Sequence, residues 1–541
     1  MAVNDREQNS FNINFAAPEN GLTQNSHVIG PTITLDSFFR IVVQEDKVRL
    51  SAQQRAVVEE SFQFLSEFSK DKIIYGINTG FGPMAQYRIE AEELEQLQYN
   101  LVRSHASGLG AGLPDQYVRA VMLNRLNTLA LGGSGISIGV VEQLSAYIEK
   151  GIYPYIPEHG SVGASGDLVQ LAHLALGLIG EGEARYKGET RPVKDILKEL
   201  KMEPVKLQLR DGLGLMNGTS CMSGIGLLNV IYATRLLRWA TLIGAVINEI
   251  VRSYDDSYSE FLNRAKKHEG QRQVAAAMRR CLETSQLVRK REDRLFKDIH
   301  KVGNGKPIKE KVQEYYSFRC IPQIIGPILE TVQNAEEILL DEVNSTNDNP
   351  VVDLENKHVY HGGNFHGDYV ALEMDKMKIA ITKLSMLCER QLNYLCNEKL
   401  NDIFPPFMNL GKLGYNFGVQ GMQFTATSTT AENQTLSFPM YVHSIPNNND
   451  NQDIVSMGTN AALLTKKVID NTFQVMAIEC VAIAQGVDSL GCKSKMSVAG
   501  QKFYDAVRKH LATFEDDKPR SAQLAELVNY LHENDPQIEI F

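Results

Sequence analysis

The chain of 541 residues carries a formal net charge of −10, with 43% hydrophobic and 22% charged residues, an ordinary balance for a globular protein with a large core. Its length accommodates about two to four domains. An acidic balance without any basic run excludes a general binder of nucleic acid or of anionic membrane, which would need clustered Lys and Arg.

Residues 1–30 are read as a flexible N-terminal tail, because Asn, Gln and Ser dominate it without periodicity. It lacks the basic-then-apolar pattern of a secretory signal, so a cytoplasmic location is expected. From Leu35 onward, apolar residues recur every three and four positions in "LDSFFRIVVQ", "SAQQRAVVEESFQFLSEFSK" and "AEELEQLQYNLVRSHASG", the mark of amphipathic helices. Long helices are also predicted over 222–265, 325–343, 368–398 and 457–488. The apolar stretch "LLNVIYATRLLRWATLIGAVINEIV" is interrupted by Arg235 and Arg238, which suits a buried core helix and not a membrane span. The expected architecture is mainly α, with a smaller mixed domain over 31–221 and a bundle of long helices over 222–541. Seven cysteines at wide spacing, with no CxxC pair, fit reduced thiols better than a disulfide framework.

Polar, Gly- and Asn-rich segments separate the helices: "YGINTGFGPMAQYR", "GSVGASGD", "GLGLMNGTSC", "NSTNDNP", "HGGNFHGD" and "HSIPNNNDNQD". One such loop is an ordinary connector; this many together invite a functional reading. Familiar motifs fail, however. Ser165 in G-A-S-G-D misses the second glycine of a hydrolase elbow. "GNGKP" lacks the rest of a phosphate-binding loop, and "GLGAG" follows a helical pattern where a dinucleotide fingerprint needs a strand. His361 and His366 have no HExxH context or carboxylate pairing. Neither a metal nor a nucleotide is expected.

The junction at Ala164-Ser165-Gly166 lies just before a helical stripe of Leu168, Leu171, Ala172, Ala175, Leu178 and Ile179. Asp167 as N-cap, with Gln170 three residues on, predicts a capping box. The bland reading is a tight entry into a buried helix, at its positive end. The chemical reading is a ring. In a sharp fold-back the Gly166 nitrogen can attack the Ala164 carbonyl carbon, with no Cβ on Gly166 to obstruct it. Loss of water closes a five-membered ring, and loss of the Ser165 hydroxyl leaves an exocyclic methylidene: 4-methylideneimidazol-5-one (MIO).

"GSVGASGDLVQLAHLALGLIGEGE" resembles the MIO signature of the histidine and aromatic amino acid ammonia-lyases. "YGINTGFG", "LMNGTS", "QEYYSFRCIPQ", "NDNP", "GGNFHG" and "NQDIVSMG" match in order, from about residue 33 to past 500. The resemblance implies an aspartase/fumarase-like helical fold and a homotetramer whose sites draw on several subunits. It also implies elimination of ammonia from an aromatic amino acid, with the MIO of Ala164, Ser165 and Gly166 as the electron sink. By the same resemblance, Tyr75 in a glycine-hinged lid is the base for the β-proton. Arg319 would hold the substrate carboxylate bidentately, with Asn364 as its helper. Asn217 and Tyr316 match residues that polarise the MIO and contact the amine, with Gln313 nearby. Phe365, Asn448 and Gln452 stand at further substrate-lining positions, Asn448 where the plant-type phenylalanine lyases show a glutamate.

Substrate choice turns on a few of these residues. Ser104-His105 matches a pair carried by the histidine enzymes, whereas those enzymes have a Glu where this chain has Gln452, as in the phenylalanine and tyrosine enzymes. Without that carboxylate, the charge-assisted bond to an imidazole is lost. His105 can instead pair with a phenol hydroxyl. The expectation is L-tyrosine to trans-p-coumarate, in a chain most similar to tyrosine ammonia-lyases of the flavobacterial type. A histidine lyase, a phenylalanine lyase and a 2,3-aminomutase remain as alternatives.

Overall fold

Long apolar helices carry the fold of the computed structural model, which describes residues 26–29, 32–297, 305, 308 and 310–541. In chain order, those that build or support the site are α1 (Leu94–His105), α2 (Asp115–Ala130), α3 (Leu168–Leu178), α4 (Asp211–Met216), α5 (Ser220–Ile250), α6 (Ile321–Val343), α7 (Asp368–Cys396), α8 (Gln420–Leu436) and α9 (Gly458–Leu490). Helix α10 (Ser521–Glu533) closes the bundle. Among the described residues, small sheets are confined to the first half and to one hairpin, Val351–Asp353 with His358–Tyr360. The protein has the aspartase/fumarase-like helical fold expected from its sequence.

Every residue of α5 is buried, and α9, α6 and α2 pack around it while α7 runs along α9. Both α5 and α9 are long and apolar enough to cross a membrane, yet 100% and 78% of their apolar windows are buried within the protein. Two arginines survive inside α5 because the C-terminal segment neutralises them: Asp535 pairs with Arg235 at 3.3 Å and with Arg238 at 2.5 Å. Beside them the Trp239 indole N–H donates to the Asn534 carbonyl. A buried guanidinium without such partners would cost several kcal/mol.

The N-terminal tail needs a correction. Residues 1–25 lie outside the described residues, but Ser26–Ile29 form a strand parallel to Lys47–Leu50. Pairing with a strand that follows the next helix was invisible in a segment judged by its polar composition. All seven cysteines are free thiols.

Deep in the bundle, Glu479 on α9 is fully buried with the Cys388 and Cys480 thiols as neighbours, and burial pushes its carboxyl up to about 8. A carboxyl raised in the folded state stabilises the fold fully below its unfolded pKa and loses that contribution as pH rises through the folded value. Glu479→Gln is therefore expected to raise Tm by a few degrees at pH 9 and to change it little at pH 4. A tenfold difference in proton affinity between the folded and unfolded chain corresponds to about 1.4 kcal/mol. An equal effect at both pH values in thermal melts would refute the titration argument.

Candidate active site

Three distant segments hold the turn at residues 162–167. The Val162 carbonyl accepts from the Met457 amide at 2.9 Å, and the Gly163 carbonyl accepts from Gly367 at 3.1 Å and from the Ser456 hydroxyl at 3.0 Å. Gly166 pairs with Gly218 in a parallel bridge at φ +69°, and a Cβ there would stand 2.1 Å from the Gly218 carbonyl oxygen. Only glycine fits that position. Ala164 is buried against Val455 and Met457. The Asn217 side-chain N–H donates to the Ser165 carbonyl at 3.4 Å, and the Gln452 amide donates to the Ser165 hydroxyl at 2.9 Å. The Asn217 carbonyl oxygen is buried with no partner among the described residues. A side-chain-free residue at 166, a small residue at 164 and an amide on each oxygen of Ser165 fit the ring closure predicted from the sequence.

Asp167 does occupy the N-cap of α3, but its side chain makes no cap bond, so the predicted capping box does not form. Its carboxylate instead accepts from the Met222 amide at 2.8 Å, in the first turn of α5, and from the Thr459 hydroxyl. Gln170 accepts from the Ser161 amide and donates to the Glu158 carbonyl. The orphan amides of the longer, fully buried α5 outcompete those of α3 for the one carboxylate. Burial pushes the Asp167 carboxyl up to about 6.

Helix α1 sits between the other parts. Its Gln98 accepts from the Leu213 amide of α4 at 3.1 Å and reaches the Gly76 carbonyl of the Tyr75 loop at 3.5 Å. Tyr75 is half-buried, packs edge-on to Phe81, and its hydroxyl oxygen accepts from the Gly82 amide at 3.1 Å. At the end of α1, His105 Nδ1 lies 3.0 Å from the Leu101 carbonyl and 3.0 Å from the Ser104 hydroxyl, which itself donates to that carbonyl. A carbonyl only accepts, so Nδ1 carries the hydrogen and Nε2 is left as an acceptor. Gly108 follows closely: a Cβ on it would meet Val169, in the first turn of α3, at 3.1 Å.

The segment between α8 and α9 bridges the Tyr75 loop and Ser165. Asn447 pairs with Gln452 around a turn in which Asn448, Asn449 and Asp450 all take left-handed φ of +54°, +55° and +58°. Asn and Asp tolerate that region better than other residues with side chains. The Asn448 amide lies over Gly82, 2.9 Å from where a Cβ would stand. Across the turn, Asn364 donates to the Thr346 carbonyl at 3.3 Å, and Phe365 sits two residues before the Gly367 amide that grips Gly163. Tyr75, His105, Ser165, Asn217, Asn364, Asn448 and Gln452 are thus tied into one set of contacting segments.

Gln313, Tyr316 and Arg319 are not among them. Tyr316 and Arg319 begin and end a short helical turn just ahead of α6, whose far end leads to Thr346. At about 1.5 Å per residue, the 23 residues of α6 span roughly 35 Å, with Arg319 just before one end and the Thr346 loop, which holds Asn364, just past the other. Tyr316 is 70% exposed, Arg319 stacks its guanidinium over the Tyr316 ring at 4.7 Å, and a groove of about 580 Å³ opens beside Gln313, Tyr316 and Tyr394. Sequence reasoning could not see this separation, because motif order says nothing of distance along a helix. It also missed Arg125, Asn347, Gln98 and Thr459. The available signal was in α2, where Arg119, Asn124, Arg125 and Asn127 interrupt a helix buried on every side from Tyr117 to Ala130.

A serine-bearing turn gripped by two amides, beside a loop tyrosine and within a long-helix bundle, agrees with what comparison finds: the chain belongs to the aromatic amino acid lyase family, whose sequence profile matches residues 33–509. It is 38% identical over 497 residues to an MIO-dependent tyrosine 2,3-aminomutase of Streptomyces globisporus, covering 91% of this chain and 92% of that one. It is 36% identical over 505 residues to a histidine ammonia-lyase of Geobacillus kaustophilus, covering 93% and 96%. The crystal structure of tyrosine aminomutase from Streptomyces globisporus superposes with a TM-score of 0.91 at 35% identity, over 94% of this chain and 97% of that one.

Proposed function

We propose that this chain is an aromatic amino acid ammonia-lyase that converts L-tyrosine to trans-p-coumarate and ammonia, working in the cytoplasm as a homotetramer. The observation that carries the substrate assignment is the 3.0 Å approach of His105 Nδ1 to the Leu101 carbonyl, from which the hydrogen is assigned to Nδ1. With Nδ1–H held by the Leu101 carbonyl, Nε2 offers a lone pair that a phenol O–H can satisfy and the bare ring of phenylalanine cannot. A site built to bond a hydroxyl discriminates strongly against a substrate lacking it.

The MIO that Ala164, Ser165 and Gly166 would form supplies an electrophilic methylidene, an electron sink for the amine nitrogen. The Asn217 amide faces the Ser165 carbonyl and draws electron density toward that oxygen. Tyr75 takes the β-proton, its hydroxyl oxygen held in place by the Gly82 N–H at 3.1 Å. The electron pair of the broken C–H bond becomes the Cα=Cβ bond, and the nitrogen leaves as ammonia. The substrate carboxylate is taken by Arg319, and the amine contacted by Tyr316 with Gln313 nearby, from a second copy of the chain, since one copy holds these residues at the far end of α6, roughly 35 Å along it.

Purified protein incubated separately with tyrosine, phenylalanine and histidine is expected to release coumarate fastest. Dominant urocanate would overturn the assignment. The names of the tyrosine 2,3-aminomutase relatives favour a second reading, in which the nitrogen returns to Cβ; β-tyrosine formed without free ammonia would establish it. Gln452→Glu restores a carboxylate beside the Ser165 turn and is expected to improve histidine turnover relative to tyrosine by about tenfold or more, as a charge-assisted bond to a protonatable ring would give. An unchanged ratio of kcat/KM values would remove the basis for this selectivity argument.

A further inference from the structure

Arg125 on α2 is fully buried and forms no ion pair of its own among the described residues. The nearest carboxylate along the same loop, Asp348, is held bidentately by Arg210, with both N–O distances at 2.9 Å. What Arg125 does hold is uncharged. One guanidinium nitrogen donates to the Gly214 carbonyl in the last turn of α4, and the other donates to the Asn347 side-chain oxygen at 3.4 Å. The guanidinium also lies directly beneath Gly218: a Cβ there would stand 2.3 Å from Nη1.

These three neighbours frame the catalytic turn. Gly214 precedes Asn217 by less than one helical turn, and the Asn217 backbone N–H still bonds back to Leu213 at 2.9 Å. Gly218 accepts from the Asp167 amide at 2.8 Å and bridges to Gly166. Asn347 adjoins Thr346, whose carbonyl holds Asn364.

We propose that Arg125 is a positioning residue of the active site, acting through Asn217: its guanidinium is the strut that fixes the end of α4 against the 344–350 loop, so that the Asn217 amide faces the Ser165 carbonyl. The inference rests on the lyase reading above. Burial pushes the Arg125 guanidinium down to about 10, so the charge is costly to keep there. An apolar side chain of similar volume would serve packing alone as well or better. Lysine keeps the charge but cannot span two acceptors in the planar geometry that arginine provides.

The test is a double-mutant cycle with tyrosine as substrate, using Arg125→Lys, Asn217→Ala and the pair, with kcat normalised to the fraction of chains dehydrated by intact mass. Arg125→Lys is expected to lower kcat by about thirtyfold with KM within about threefold, and to cost less than about threefold in the Asn217→Ala background, because coupled residues are non-additive. A kcat within threefold of wild type, or the same loss in both backgrounds, overturns the proposal. If Arg125→Lys does not fold, Asn347→Leu removes one acceptor of the strut at similar volume, and the same cycle with the same thresholds decides the matter. A wild type of unreduced mass that consumes none of the three amino acids refutes the lyase reading itself, whatever the variants do.

Discussion

Ser165→Ala is expected to lower kcat by ~10³-fold or more, at least about 4 kcal/mol of transition-state stabilisation, and to keep the full sequence mass, where the purified wild-type chain is expected to lack two water molecules. The proposed electrophile needs a hydroxyl at 165 as leaving group, and alanine has none. Ser165 is also where two amides converge, Gln452 on the hydroxyl and Asn217 on the carbonyl, so the effect is chemical and not a matter of packing. Removing one half-buried hydroxyl leaves the backbone contacts of the turn in place, and Tm is expected to move by no more than about two degrees. Gly166→Ala should also retain the full sequence mass, since its Cβ would collide with the Gly218 carbonyl. A wild-type chain that turns over substrate at its full sequence mass would end the proposal.

The second large effect is complementation between two dead variants. Ser165→Ala and Arg319→Leu are each expected to be nearly inactive alone, and co-expression is expected to restore about a quarter of wild-type activity. That fraction follows from random one-to-one assortment, because a working site needs Ser165 from one copy and Arg319 from another, each intact half the time. The structural warrant is the length of α6 and the exposure of Tyr316. Further support comes from the apolar surface around α8, which buries only Ala426, Thr430 and Asn433, while Phe424, Phe438, Tyr441 and Val442 stay exposed. Such a surface calls for a covering partner. Separately purified variants that are mixed without exchange should stay inactive, and no recovery on co-expression would place the whole site in one chain.

Much of the fold was legible because helix periodicity survives in amphipathic segments: the predicted 325–343, 368–398 and 457–488 lie within two residues of α6, α7 and α9 at most of their ends. The strand at Ser26–Ile29 was not legible, since it owes its order to a partner beyond the next helix. The residues that face the proposed chemistry were readable as an ordered set of motifs. The residues that hold them were not. Asp167 advertised a local cap and instead serves α5, and Arg125 carried no motif at all, because its role depends on Gly214 and Asn347 meeting it from far along the chain. Local spacing encodes local structure; support from distant segments becomes visible only in three dimensions.

The turn around Ser165 is gripped by partners 52, 287 and 293 residues further along the sequence. No unfolded or half-built chain can present that arrangement, so under the proposed chemistry dehydration is a record that the chain has once been native. The record is covalent and outlasts the fold. Protein denatured after maturation would still carry the reduced mass, whereas chains that never folded would not. The ratio of the two masses in a cell extract would then count folding successes, including those of molecules since unfolded.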